Sequence, residues 1–432
     1  MTDIYEIAEY TLEALKKSGA DAAQCIVSKS KKDELNVDGG KFSLMRSTFN
    51  TSISMKAIKD GKKGVTSINQ ATKEAIDEAA DQCISAAQSS VPDEAEQIAP
   101  FTAKAEYKTG VFEPELDKLF DRIEEFMSQT AAEYPKIILE QLISDYEHSE
   151  KLYMNTNGTS LKYEHGEYSF NTMFSAHEGE KASSFNGYFC ALDSLDKPFM
   201  DAGMQRQLLD ESEKQLDTVS PSEKFVGRVI YSPDCFNELL QTALENFASS
   251  GVLIDGTSPW KDALNTKVAS EKLNLRSVPL DGRTVVGQRF TSDGYPVEDM
   301  DIIIDGVLKT FILSQYGANK TGFPRSLNSG NNLEVLPGDK ALEEMISGID
   351  RGLIVNRFSG GQPSSNGDFS GVAKNSFLIE NGKVVSAVSE TMISGNIINM
   401  LNNIVAVSKE QTTDGLSFMP WAEFDGVTVS GK

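Results

Sequence analysis

Histidine, cysteine, serine and one helix's polar face are where this sequence could hold hydrolytic or metal chemistry, and their spacing sorts them. His148, His165 and His177 are the only histidines, all in the first half, and Cys25, Cys83, Cys190 and Cys235 lie far apart. No C-x-x-C pair and no two histidines one helical turn apart occur, so local spacing writes no zinc site, and the cysteines are expected as small buried apolar residues. His177-Glu178 opens like a zincin motif, but no histidine follows and its neighbours are strand-like. Ser359, Ser370 and Ser394 adjoin glycines, yet there is no G-x-S-x-G elbow and no histidine in that half to act as base. On a helix read over Tyr231 to Ser249, Gln241, Thr242 and Asn246 stand at i, i+1 and i+5, the spacing at which a metal-binding helix would carry His, Glu and His. Amide and hydroxyl oxygens are poor zinc ligands. Asp234, Glu238 and Glu245 share a face of that helix, suiting either a hard cation or a solvated acidic stripe.

The helix itself is well specified. Phe236, Leu239, Leu240, Ala243, Leu244 and Phe247 follow the 3.6-residue period of an element packed on a core. An opening helix is marked by Asp3 and Glu6 as a capping box, Ile4, Ile7, Ala8, Leu12 and Leu15 as its stripe and Ser18-Gly19 as its end. Strands are expected over 24–30, 33–38, 51–58 and 64–68, turning at Asp38-Gly39-Gly40 and Asp60-Gly61 as an antiparallel meander. Helices over 72–87 and 113–131 follow, separated by a polar surface connection over 89–108. Residues 136–192 read as strand with an Asn157-Gly158 turn, 201–224 as an acidic junction containing Ser220-Pro221-Ser222, and hairpins turn at Asp305-Gly306 and Asn381-Gly382. Two long Gly-rich loops, 323–332 and 358–371, are placed to line a site.

Helix and strand blocks without βαβ alternation predict an α+β fold in two domains. The first, 1–222, is an antiparallel sheet with flanking helices; the second, 223–432, is β-rich, with large sheets and the long amphipathic helix. With 64 acidic against 41 basic residues, the net charge of −23 repels phosphate backbones, so direct nucleic-acid binding is not expected. No apolar run is long enough for a membrane span and the first residues do not read as a secretory signal, so a cytoplasmic protein without a membrane partner is expected.

An ordered set of segments resembles the TldD/PmbA family across essentially the whole chain. It comprises Thr51-Ser52-Ile53-Ser54-Met55, Asn155-Thr156-Asn157-Gly158, Gly367-Asp368-Phe369-Ser370-Gly371 and Phe377-Leu378-Ile379-Glu380-Asn381-Gly382-Lys383. It continues with Val388-Ser389-Glu390, Ile393-Ser394-Gly395-Asn396, Asn403-Ile404-Val405-Ala406-Val407 and the closing Phe424-Asp425-Gly426-Val427-Thr428-Val429-Ser430-Gly431. The resemblance implies a two-subunit cytoplasmic zinc peptidase, associated with modulation of DNA gyrase, microcin maturation and antitoxin degradation. Its TldD half bears H-E-x-x-x-H on a helix and a C-terminal cysteine ligand. In this sequence Gln241, Thr242 and Asn246 stand at those positions and no cysteine follows Cys235, so the chain resembles the PmbA half, also called TldE.

The resemblance therefore implies a subunit without catalytic residues or zinc of its own, a pseudoenzyme that pairs with a zinc-bearing TldD-like subunit as a heterodimer or higher oligomer. The Ser359-Gly360-Gly361 and Ser394-Gly395-Asn396 stretches are candidates to offer backbone N–H groups to an unfolded peptide. Two other expectations stand beside it: an acidic protein that binds DNA gyrase directly in competition with DNA, and a self-associating relative that needs no partner.

Overall fold

The computed structural model describes residues 1–221, 223–389 and 391–431. Ser222 of the expected junction, Glu390 of the Val388-Ser389-Glu390 segment and Lys432 lie outside the described residues. The chain is α+β, with two large sheets and helices packed on them.

The first half runs α1 (Ile4–Lys17), β1 (Ala22–Asp38), β2 (Lys41–Lys59), β3 (Lys62–Ile68), α2 (Lys73–Ser89), β4 (Lys104–Gly110), α3 (Leu116–Glu133), β5 (Ile137–Asn155), β6 (Ser160–Glu178), β7 (Lys181–Ala182) and β8 (Asn186–Leu192). Among the described residues these strands make an eight-stranded sheet in the order β3-β2-β1-β5-β6-β4, with β7 and β8 also on β6. After α4 (Gln205–Lys214) come β9 (Thr218–Val219), β10 (Phe225–Tyr231), α5 (Pro233–Phe247), α6 (Ser250–Ile254), β11 (Leu275–Ser277), β12 (Met300–Ile304) and β13 (Val307–Leu308). The chain continues with α7 (Gln315–Thr321), β14 (Leu333–Val335), α8 (Leu342–Ser347), β15 (Arg351–Val355), β16 (Arg357–Gly360), β17 (Asp368–Lys374), β18 (Ser376–Glu380) and β19 (Lys383–Val388). It closes with β20 (Thr391–Asn396), α9 (Ile397–Asn402), β21 (Ile404–Thr413) and β22 (Phe418–Ser430). Strands β9 to β22 form a second sheet, fourteen-stranded among the described residues, in which β22 joins β14, β10, β20 and β21.

Turn chemistry sets the hairpins. Asp60-Gly61, Asp305-Gly306 and Asn381-Gly382 all have positive φ at both positions, the geometry that matches strand twist. Asp3 caps α1, its carboxylate accepting from the Tyr5 and Glu6 amides at 2.9 Å each.

Several elements differ from the sequence reading. The segments 24–30 and 33–38 are one 17-residue strand, because Lys31 and Lys32 continue the ladder and their charges meet Asp33, Asp145 and Glu147. The 89–108 connection contains the start of β4, which pairs parallel to β6; its alternation is short, with only Ala105 and Tyr107 half-buried between exposed Lys104, Glu106 and Lys108. The acidic stretch 201–224 holds α4, whose Leu208 and Leu209 reach the core. Half of the Gly-rich 358–371 segment belongs to the β16–β17 pair, with 361–367 as the connecting loop, and the Phe358 ring lies so close to Gly360 and Gly371 that a Cβ on either would clash with it.

Alternation gives the first sheet two unlike faces. Cys25, Val27, Ile53 and Met55 pack under α1 and α2, while Leu35, Val37, Leu142, Tyr146 and Phe170 pack under α3. That second core also takes Leu208 and Leu209 of α4 and Ile230, Ile354, Phe377 and Trp421 of the other sheet, so one apolar layer ties both halves together. The opposite face is polar at Ser28, Ser30, Asn50, Ser52 and Ser149, while at one end its Ile26, Tyr153 and Leu161 pack with Phe290.

Candidate functional site

Helix α5 faces that polar side of the first sheet. Ser232 caps it, its hydroxyl accepting from the Cys235 amide at 3.4 Å, and Pro233 occupies the first turn, where its missing N–H costs nothing. Phe236, Leu240, Ala243, Leu244 and Phe247 are buried in the second sheet's core, with Phe236 edge-on to Phe424 at 5.7 Å and Phe247 against Trp260 at 5.1 Å. This leaves Asn237, Gln241 and Glu245, one turn apart, facing outward.

Two clefts meet along that row. One, of about 940 Å³, runs between α5 and the sheet's polar face, where Ser28, Asn50, Ser149, Lys151 and Tyr163 form the far wall. The other, of about 870 Å³, is bounded by Asn171, Met173, Phe185 and Phe189. Asn237, Gln241 and Asp414 line both, so the clefts make one groove with these residues at its waist. The waist is fixed by hydrogen bonds: Gln241 donates to Asn237 Oδ1 at 3.4 Å, Asn237 donates to Ser417 Oγ at 3.2 Å, and Asp414 accepts from the Leu416 and Ser417 amides.

The groove's charge is set by carboxyls beside α5. Asp234 opens into the second cleft but is crowded by protein; burial, then the Asp414 carboxylate, push it up to about 6. Burial also raises Glu238, with Arg357 pulling the other way. Glu245 lies in the first cleft rather than with them, so the three acids do not converge on one point.

The residues at the zinc-motif positions point to different places. Gln241 lines the groove, whereas Thr242 lines a smaller pocket of about 250 Å³ roofed by Ser359, Gly360 and Gly361, and Asn246 lines neither. An amide, a hydroxyl and an amide that do not share a cavity do not fit zinc, and no group of three His, Cys, Asp or Glu able to hold a metal occurs among the described residues. His148 sits 3.1 Å from Glu164, His165 is buried between Thr109 and Glu167, and His177 meets Ser175 at 2.9 Å; none lines the groove. All four cysteines are free and buried.

Of the glycine-rich stretches, Ser359–Gly361 lies beside Thr242, and β16 pairs only with β17 among the described residues, leaving one edge open. Ser394 and Gly395 are inside β20, paired with Ser370 and Phe369. Asn396 caps α9 and donates to Asp368 Oδ1 at 2.9 Å. Sequence reasoning missed Asn237, Asp414, Lys151 and Arg289 as groove residues. The first was readable from the i, i+4, i+8 row it makes with Gln241 and Glu245, while the others come from strands and loops far apart in the chain.

Comparisons with known proteins agree with this architecture. Family models described as "PmbA/TldA metallopeptidase C-terminal domain" and "PmbA/TldA metallopeptidase domain 1" match residues 224–431 and 23–87, together more than half of the chain. The zinc metalloprotease TldD homolog of Saccharolobus solfataricus is 28% identical over 42% of this chain and 44% of its own length. The chain spans less than two thirds of the length of the curated relatives it matches. Among solved structures, TldE from Thermococcus kodakarensis aligns with TM-score 0.82 at 22% identity, over 98% of this chain and all of that one. A Bacteroides thetaiotaomicron protein whose name links it to modulation of DNA gyrase aligns with TM-score 0.84 at 23% identity over the full length of both, a likeness of fold. No helix among the described residues is long and apolar enough to cross a membrane. By its two family models and the fold they share with these neighbours, the chain belongs to the PmbA/TldD metallopeptidase family.

Proposed function

We propose that this chain is the PmbA/TldE-like, non-catalytic subunit of a TldD/TldE-type metallopeptidase. In this reading a TldD-like partner supplies the zinc, and this chain supplies one wall of a cleft for unfolded peptide, within a cytoplasmic heterodimer or higher oligomer. The observation that carries it is the chemistry of α5: at the zinc-motif positions it turns the amide of Gln241 to the groove and the hydroxyl of Thr242 to a separate pocket, where zinc needs imidazole, thiolate or carboxylate. Supporting it, the groove is long, lined by Ser, Asn and Gln side chains, and flanked by the open β16 edge at Ser359–Gly361, features suited to an extended chain held by main-chain hydrogen bonds. Ser394-Gly395-Asn396 would back that edge through β17. The two units of the reading are 1–222 and 223–432, a division supported by the start of the second family model at residue 224.

The test is peptide cleavage by the purified chain alone with added zinc. Background turnover is the expected result; chelator-sensitive turnover that survives Gln241→Ala and Asn246→Ala would overturn the non-catalytic assignment.

A second reading, direct binding of DNA gyrase by an acidic protein, draws on the −23 charge and on the Bacteroides neighbour's name. The acids are spread through helices and loops rather than gathered in one run, which favours ordinary solubility. A gyrase pull-down at physiological salt separates the two, and retention of gyrase would favour the second.

A further inference from the structure

Two cations that line the first cleft have no carboxylate at ion-pair distance among the described residues: Arg289 in the loop between β11 and β12, and Lys151 on the sheet wall. On the same face, Lys32 meets Asp145 at 3.4 Å and Glu147 at 3.0 Å. Nearby, Lys162 meets Glu150 at 2.7 Å, so Glu147 and Glu150 are already engaged, and Glu245 of α5 is a cleft carboxylate without an ion pair among the described residues. Lys151, opposite Tyr163 in the β5–β6 ladder, has no carboxylate within ion-pair distance among the described residues; its ammonium instead stands 5.7 Å from the Phe290 ring. It is half-buried, and burial lowers its basicity. Arg289 is held through one nitrogen by the Pro279 and Gln288 carbonyls, and its guanidinium lies 5.7 Å over the Tyr163 ring.

Lys151 on Phe290 and Arg289 on Tyr163 thus interlock, with all four side chains lining the cleft. A desolvated ammonium without a counter-charge is costly, and an aromatic ring offsets only part of that. Half-buried and without an ion pair, Lys151 leaves its attraction free for an incoming anion.

We propose that Lys151 and Arg289 form a carboxylate subsite at this end of the groove, taking either the C-terminal carboxylate or an acidic side chain of the bound peptide. The proposal rests on the peptide-accepting reading above. Phosphate is the rival anion, disfavoured by the chain's net charge.

The experiment titrates the full chain, alone and with its TldD-like partner, with an N-terminally labelled short peptide in four forms. These carry a free or amidated C-terminus and an internal Glu or Gln; an unlabelled single-stranded oligonucleotide serves as competitor. Removing the recognised carboxylate should weaken binding to the wild-type chain about tenfold. That difference should vanish in Lys151→Met and Arg289→Gln and persist in Lys151→Arg. Lys151→Met should also melt at a higher temperature than wild type, since it removes an unpaired, half-buried charge, so its loss of discrimination is separable from unfolding. Equal binding of all four forms would overturn the subsite and leave the peptide cleft standing. No binding of any form, alone or with the partner, would overturn both. Lys151-dependent binding of the oligonucleotide in place of peptide would overturn the carboxylate assignment.

Discussion

On strand β1, Val27, Leu35 and Val37 turn to one side and Ser28, Ser30 and Lys32 to the other. Along β5 and β6, Leu142, Tyr146 and Phe170 share the first side, and Ser149, Lys151 and Tyr163 the second. The first face is sealed by α1, α2 and α3 and carries the fold. The second is left polar opposite α5 and forms the groove. The contrast shows how one alternating sequence writes two functions: the apolar half fixes the shape, and the half free of packing duties is available for recognition.

The largest expected effect tests the sealed face. Phe170 is fully buried, with Phe126 at 5.1 Å and Phe199 at 4.3 Å, so Phe170→Ala should cost about 3–5 kcal/mol by denaturant unfolding. Asn50→Ala on the groove face should change stability by no more than about 0.5 kcal/mol. Comparable losses would break the comparison.

Next comes Glu211 of α4, where the sealed side meets the second sheet. It accepts from Asn356 at 2.6 Å and Gln207 at 2.8 Å, and burial pushes it up to about 7. The folded state therefore holds a proton that the unfolded chain releases near pH 4.5, so this stabilisation is complete below pH 4.5 and is lost as pH rises through about 7. Between pH 5 and pH 8, Glu211→Gln should gain up to about 3 kcal/mol relative to wild type. A pH-independent difference would remove Glu211 from the account.

Asn237→Ala removes the hydrogen bond from α5 to Ser417 at the waist and should cost about 1 kcal/mol by thermal unfolding. A null effect would mean the waist is not held by that bond.

The smallest effect concerns groove charge. Because Asp234 titrates near 6, a cationic peptide should bind about two- to fivefold more weakly as pH falls from 7 to 5, and Asp234→Asn should flatten that profile. An unchanged profile in the variant would place the titration elsewhere.

The sealed face was legible in the sequence because burial imposes a period: α1, α2, α3 and α5 lie close to where their apolar stripes put them, and the Asp-Gly and Asn-Gly turns fall at the hairpins. Elements without such a period escaped. Strand β4 sets only Ala105 and Tyr107 against its exposed Lys104, Glu106 and Lys108, a short alternation without a large aliphatic residue, and α4 shows only Leu208 and Leu209 among polar and charged residues. The groove was half legible. Gln241 could be found from its helix, but Lys151, Arg289 and Asp414 become neighbours only through sheet pairing and loop return, which no local spacing encodes.

The central claim is a division of labour, and reconstitution tests it most directly. The chain is mixed with a paralogue from the same genome that carries H-E-x-x-x-H, and both the mass of the assembly and the cleavage of an unfolded peptide are measured with and without chelator. The account predicts a stable hetero-assembly whose turnover is abolished by chelator and by loss of the partner's histidines, and is unaffected by Asn246→Ala in this chain. Two unmixed species, or full turnover that persists after the partner's histidines are removed, would contradict it.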